Sequence, residues 1–70
     1  MMPLTLCQVG EESIIKKVGG KGDTKKFLKN LGFVTGSSVT VVSVMSGNLI
    51  VNIKESRVAL SKEMASKIMV

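Results

Sequence analysis

The sequence contains no histidine, no tryptophan and no tyrosine, one cysteine (Cys7), one proline (Pro3) and two phenylalanines, Phe27 and Phe33. Each absence excludes a chemistry. Without histidine there is no imidazole base for a nucleophilic triad and no histidine-bearing metal site. A lone cysteine makes neither an internal disulfide nor a thiolate cluster. The acids, Glu11, Glu12, Asp23, Glu55 and Glu63, are scattered along the chain, and nothing resembles a calcium loop. An aromatic fraction of 3% offers few platforms for stacking single-stranded bases and no ring-lined groove for proline-rich peptides. No apolar run approaches the ~20 residues of a membrane span. The opening Met1-Met2-Pro3-Leu4 lacks the charged head and apolar stretch of a signal peptide. A cytosolic protein is expected, and a single thiol fits that compartment. No set of residues could serve an enzyme, so no catalytic group, cofactor, metal or small-molecule substrate is expected.

The chain has 70 residues, enough for one domain spanning 1–70. A domain of this size buries only roughly 60% of the surface its unfolded chain exposes. Apolar residues, 44% of the chain, are therefore expected in the core. Ten basic residues stand against five acids, a net charge of +5 that calls for an acidic protein surface, an anionic lipid surface or nucleic acid. The charge is uneven. Lys16, Lys17, Lys21, Lys25, Lys26 and Lys29 form a run interrupted only by Asp23.

The hydrophobic pattern predicts about five short strands and two short helices. Residues 4–9 alternate as a short strand or extended lead-in, and 13–18 are β-branched and end at Gly19-Gly20. Asp23 or Thr24 is a suitable N-cap for a helix of about two turns. Phe27, Leu28 and Leu31 form its inward face, Lys25, Lys26 and Lys29 its wet face, and Gly32 its left-handed terminator. Residues 38–45 read as a strand, Ser46-Gly47-Asn48 as a hairpin turn, and Leu49, Val51 and Ile53 as the inward side of the next strand. Lys54-Glu55-Ser56 turns into a short strand, Arg57–Leu60. Ser61 caps a second helix with Met64, Ala65 and Ile68 inward, and Met69-Val70 closes the sheet. Such regular spacing in so short a chain predicts a small barrel, which removes exposed strand edges.

Several motifs have competing readings. Gly20-Lys21 resembles part of a phosphate loop, but Gly22 stands where Ser or Thr is required and Ile15 where the first glycine belongs. A turn feeding a helix is the simpler reading. Met45, Met64 and Met69 are expected as core fillers, and Cys7 as a small buried hydrophobe. Arg57, the only arginine, is read as a barrel-rim charge rather than an arginine finger. Phe33 either tucks under the corner as core or stays partly exposed as an apolar anchor within a basic rim.

Leu28-x-x-Leu31-Gly32-Phe33-x-x-Gly36 followed by Val39-x-Val41 resembles the signature of the ferrous iron transport protein A (FeoA) family. The likeness runs upstream through Leu4, Leu6, Val9-Gly10 and Ile14, and downstream through Val58-Ala59-Leu60, Ala65 and Ile68-Met69-Val70. Thr35 stands where the family usually has proline, and Lys25 and Lys26 where it often has arginine. Lysine keeps the charge and loses the planar fork. The resemblance implies an SH3-like β-barrel. It implies a cytosolic accessory of the membrane ferrous-iron transporter FeoB, at the inner face of the membrane and acting through the transporter's GTPase-bearing part. The partner-binding face is then expected at Lys25, Lys26, Lys29 and Phe33. The rival reading is a nucleic-acid-binding small barrel, supported by charge and weakened by the scarcity of aromatics. Self-association through an open barrel edge or an apolar patch is a third reading and does not exclude the transporter-accessory one.

Overall fold

The structure, a computed structural model, describes residues 1–70. After a single 3-10 turn at Leu4–Leu6, the chain runs through β1 (Glu12–Ile14), β2 (Lys17–Val18), α1 (Asp23–Asn30), β3 (Ser38–Met45), β4 (Asn48–Ile53), β5 (Ser56–Ser61), α2 (Lys62–Ala65) and β6 (Ile68–Met69). Four strands form one antiparallel sheet in the order β1-β3-β4-β5, and β2 and β6 pair separately. Both sheets close over one core of thirteen residues, all of them apolar. Leu4, Ile15, Leu28, Phe33, Val39, Val41, Leu49, Val51, Ile53, Leu60, Ala65, Ile68 and Val70 compose it.

The β3–β4–β5 meander follows the alternation of its sequence. Leu49, Val51 and Ile53 point inward, as expected. A two-residue turn joins β3 to β4, with positive φ at both Ser46 (45°) and Gly47 (86°). That is the turn whose twist matches a hairpin's strands. The register shifts between Val41 and Ser43, leaving Val42 as an extra residue. Such a bulge moves every later side chain to the other face. Met45 therefore pairs with outward-facing Asn48 and is 61% exposed, which corrects its expected place in the core. Met64 and Met69 are half-buried.

The expected strand at 13–18 is instead two strands in different sheets, which raises the count from five to six. Fully buried Ile15 is the corner. Its N–H donates to Ser37 and its carbonyl accepts from Gly36, whereas the N–H of Lys16 already donates to Met69 of the other sheet. Residues 4–9 hold the 3-10 turn rather than a strand, with Leu4 buried and Leu6 exposed. Cys7 is half-buried against the core, its Sγ 3.8 Å from Ser13 Oγ.

Gly22, not Asp23 or Thr24, precedes the first helical residue of α1, and no side chain caps it. Asp23 lies in the first turn, where a carboxylate favours the helix dipole. The other end of α1 carries the structural logic of the signature. Gly32 has φ 106°, its N–H donates to the Lys29 carbonyl, and the N–H of Phe33 donates to the Leu28 carbonyl. These two bonds define a Schellman motif, in which the residue after the glycine packs against the one five positions earlier. Leu28 and Phe33 are those residues, and both are in the core. At α2, the Ser61 hydroxyl accepts the Met64 N–H at 3.2 Å, the expected N-cap.

Candidate docking groove

The interior holds no buried polar or charged residue, so any functional surface lies outside. No three of the acids and Cys7 come together as a metal-holding group. Two open hollows mark the surface. The larger, about 500 Å³, lies over Glu12, Ser37, Ser38, Thr40, Asn52 and Lys54. It has no apolar lining and carries both charge signs, so water is as good an occupant as any ligand. The smaller, about 350 Å³, combines charge with apolar surface and is the better candidate.

This second groove runs between β2, α1 and the turn that follows α1. Lys16 and Lys17 come from the corner at β2 and form one side. Lys25 and Lys29, four residues apart and thus neighbours on one helical flank, form the other. Val18, Phe33, Val34 and Thr35 lie between them. No acid lines the groove. The molecule's four side-chain hydrogen bonds involve Cys7 with Ser13, Arg57 with Asn52, and the hydroxyls of Ser61 and Ser66, so no lysine is tied within the protein.

Of the residues expected to form a partner face, Lys25, Lys29 and Phe33 meet here, and Lys26 is exposed on α1 but does not line the groove. Phe33 is 1% exposed, which corrects the reading of it as a partly exposed anchor. The Schellman geometry draws it inward, where its ring contributes the groove's floor. Phe27 reverses in the opposite sense. Expected to pin α1 to the barrel, it is 50% exposed, because α1 turns only Leu28 fully inward. Lys16 and Lys17 were visible only as part of the basic run. What places them opposite α1 is the corner at Ile15, a long-range feature with no local signal. Arg57 is exposed on β5, its Nε donating to Asn52 Oδ1 across the sheet at 3.2 Å, as a rim charge would be.

Six short strands around an apolar core, with a basic groove on the surface, define a small SH3-like barrel. The chain belongs to the FeoA domain family, whose model matches residues 2–70. A protein of Methanocaldococcus jannaschii assigned as Fe(2+) transport protein A is 34% identical over 70 residues, covering 100% of this chain and 85% of that protein. The crystal structure of an iron uptake regulatory protein, also a FeoA, superposes with a TM-score of 0.87 at 25% identity, over 97% of this chain and 90% of that one. Stenotrophomonas maltophilia FeoA complexed with zinc, described as a procaryotic SH3 domain protein, has the same fold. Its TM-score is 0.87 at 24% identity, over 99% of this chain and 88% of that one.

Proposed function

We propose that this protein is a non-enzymatic accessory of ferrous iron transport that works in the cytoplasm by docking onto the GTPase-bearing part of a FeoB-type transporter. Family membership and the Fe(2+) transport assignment of its archaeal relative support the process. The observation that carries the docking mechanism is the groove between β2 and α1, lined by four lysines and no acid around Val18, Phe33 and Val34. Such a surface steers an acidic partner at long range and then offers apolar area to bury. No helix is long and apolar enough to cross a membrane; in this reading, attachment at the membrane's inner face runs through the transporter. In this reading Lys16, Lys17, Lys25 and Lys29, with Val18, Val34 and the turn at Phe33, make the docking face.

The test is a titration of isotopically labelled protein with the isolated cytosolic GTPase domain, loaded with GDP or with a GTP analogue. Saturable amide shifts clustered on residues 16–18 and 25–36 are expected, and a nucleotide-dependent difference would mark regulation. Absence of shifts at high concentration, together with steeply salt-dependent binding to generic RNA or DNA, would replace this reading with the nucleic-acid one.

A further inference from the structure

The composition of the groove narrows the chemistry of its occupant. A bare phosphate or a nucleic-acid backbone would satisfy Lys16, Lys17, Lys25 and Lys29 but leave Val18 and Val34 in water. A purely apolar segment would cover the floor but lie among four ammonium groups without a counter-charge, a costly arrangement for any lysine it desolvates. The occupant that answers both is a peptide carrying a bulky apolar side chain with carboxylates on either side. A hollow of about 350 Å³ is at the small end of ligand pockets, room for one or two side chains rather than a folded surface.

We propose that the groove binds an acidic peptide segment of a partner protein. An apolar side chain seats between Val18 and Val34 above Phe33. Flanking Asp or Glu carboxylates pair with Lys16 and Lys17 on one side and Lys25 and Lys29 on the other. The proposal rests on the accessory reading only for the partner's identity. It separates lysines that the basic run places together. Lys29 lines the groove, whereas Lys26, three residues earlier, does not.

The probe is a fluorescein-labelled peptide, Glu-Asp-Leu-Leu-Asp-Glu, titrated by anisotropy at low and at physiological salt against the full chain and its variants. Saturable binding is expected. Lys17→Glu and Lys29→Glu should each weaken it roughly tenfold, since reversal both removes an attraction and adds a repulsion. Lys26→Glu should change it by less than about twofold, given solvent and salt screening outside the groove. Replacing both leucines of the peptide by serine should also weaken binding roughly tenfold or more, from the lost apolar burial. Val34→Ser, at a half-buried position, should follow the same trend. Equal binding of the serine peptide, equal effects of Lys26→Glu and Lys29→Glu, or binding only to phosphatidylglycerol vesicles or single-stranded oligonucleotides would overturn the proposal.

The same variants titrated with the GTPase domain separate the two readings. If the domain binds but ignores Lys17→Glu and Lys29→Glu, the groove assignment fails and the accessory reading stands. If the peptide binds with the expected pattern and the domain does not bind at all, the groove assignment stands and the transporter partner falls.

Discussion

The chain has two phenylalanines in opposite environments, and exchanging each for alanine tests how the corner after α1 is built. Phe33 is 1% exposed and Phe27 50%. Truncating a fully buried Phe costs about 3–5 kcal/mol, the lost transfer energy plus the cavity left behind. At the usual 0.05–0.15 kcal/mol per residue, a 70-residue domain has roughly 4–10 kcal/mol in total. Phe33→Ala should therefore unfold a large fraction of the protein or leave it barely folded, and Phe33→Leu should cost roughly 1–1.5 kcal/mol. Phe27→Ala gives up only half a ring's burial and gains helix propensity in α1, so its loss should stay below about 1 kcal/mol. With neither tryptophan nor tyrosine, unfolding is best followed by far-ultraviolet circular dichroism in urea. A slope of ~1 kcal/mol per molar places the Phe33→Ala midpoint about 3–5 M below the parent, and Phe27→Ala less than about 1 M below it. Equal midpoints for the two variants would refute the assignment of Phe33 to the core and, with it, the packing argument for the signature.

Gly32→Ala should destabilise by about 1–3 kcal/mol through backbone strain alone. The added Cβ would lie 3.6 Å from Ile53 Cγ1 and Lys54 Cδ, ordinary contacts, so a stability gain would mean that φ 106° is not held in solution. Ser61→Ala removes the N-cap of α2 and should lower the melting temperature by about 4–8 °C, corresponding to ~1 kcal/mol. Ser46→Asn should raise it, by roughly 0.5 kcal/mol, because asparagine accepts the positive φ of the first hairpin position more readily. A neutral or lower melting temperature for that variant would contradict the turn assignment.

Local patterns carried the meander and the helix ends well. The bounds 38–45, the inward Leu49-Val51-Ile53 side, the Gly32 terminator and the Ser61 cap all follow from alternation and capping chemistry, which act over a few residues. What the pattern hid depends on distant pairing. Ile14 and Lys17 look like one β-branched run, yet they belong to different sheets because Ile15 is claimed by Ser37 and Gly36 and Lys16 by Met69. A bulge at Val42 is invisible as well, and it is what sends Met45 outward. The groove shows the same division. Lys25 and Lys29 were legible as a wet helical face, but their meeting with Lys16 and Lys17 requires the corner. Phe33 is ambiguous in the sequence because a glycine terminator alone does not fix whether the next residue makes the Schellman contact with Leu28. Phe27 was misplaced because a helix this short buries a narrower stripe than its apolar residues span.

The pairing of the chain's second and last residues has a temporal consequence. Met2 and Val70 exchange reciprocal main-chain hydrogen bonds of 2.9 and 2.8 Å, and Pro3 bridges to Met69 beside them. The seam of the barrel is thus stitched by contacts of very large sequence separation. Nascent chain can form the β3–β4–β5 meander early, since its turns are local. The β2–β6 layer and the N-terminal segment instead join opposite ends of the domain, Lys17 with Met69 and Pro3 with Met69. Closing that seam carries the largest loop-closure cost, so the wall of the groove formed by Lys16 and Lys17 is among the last features to take its place.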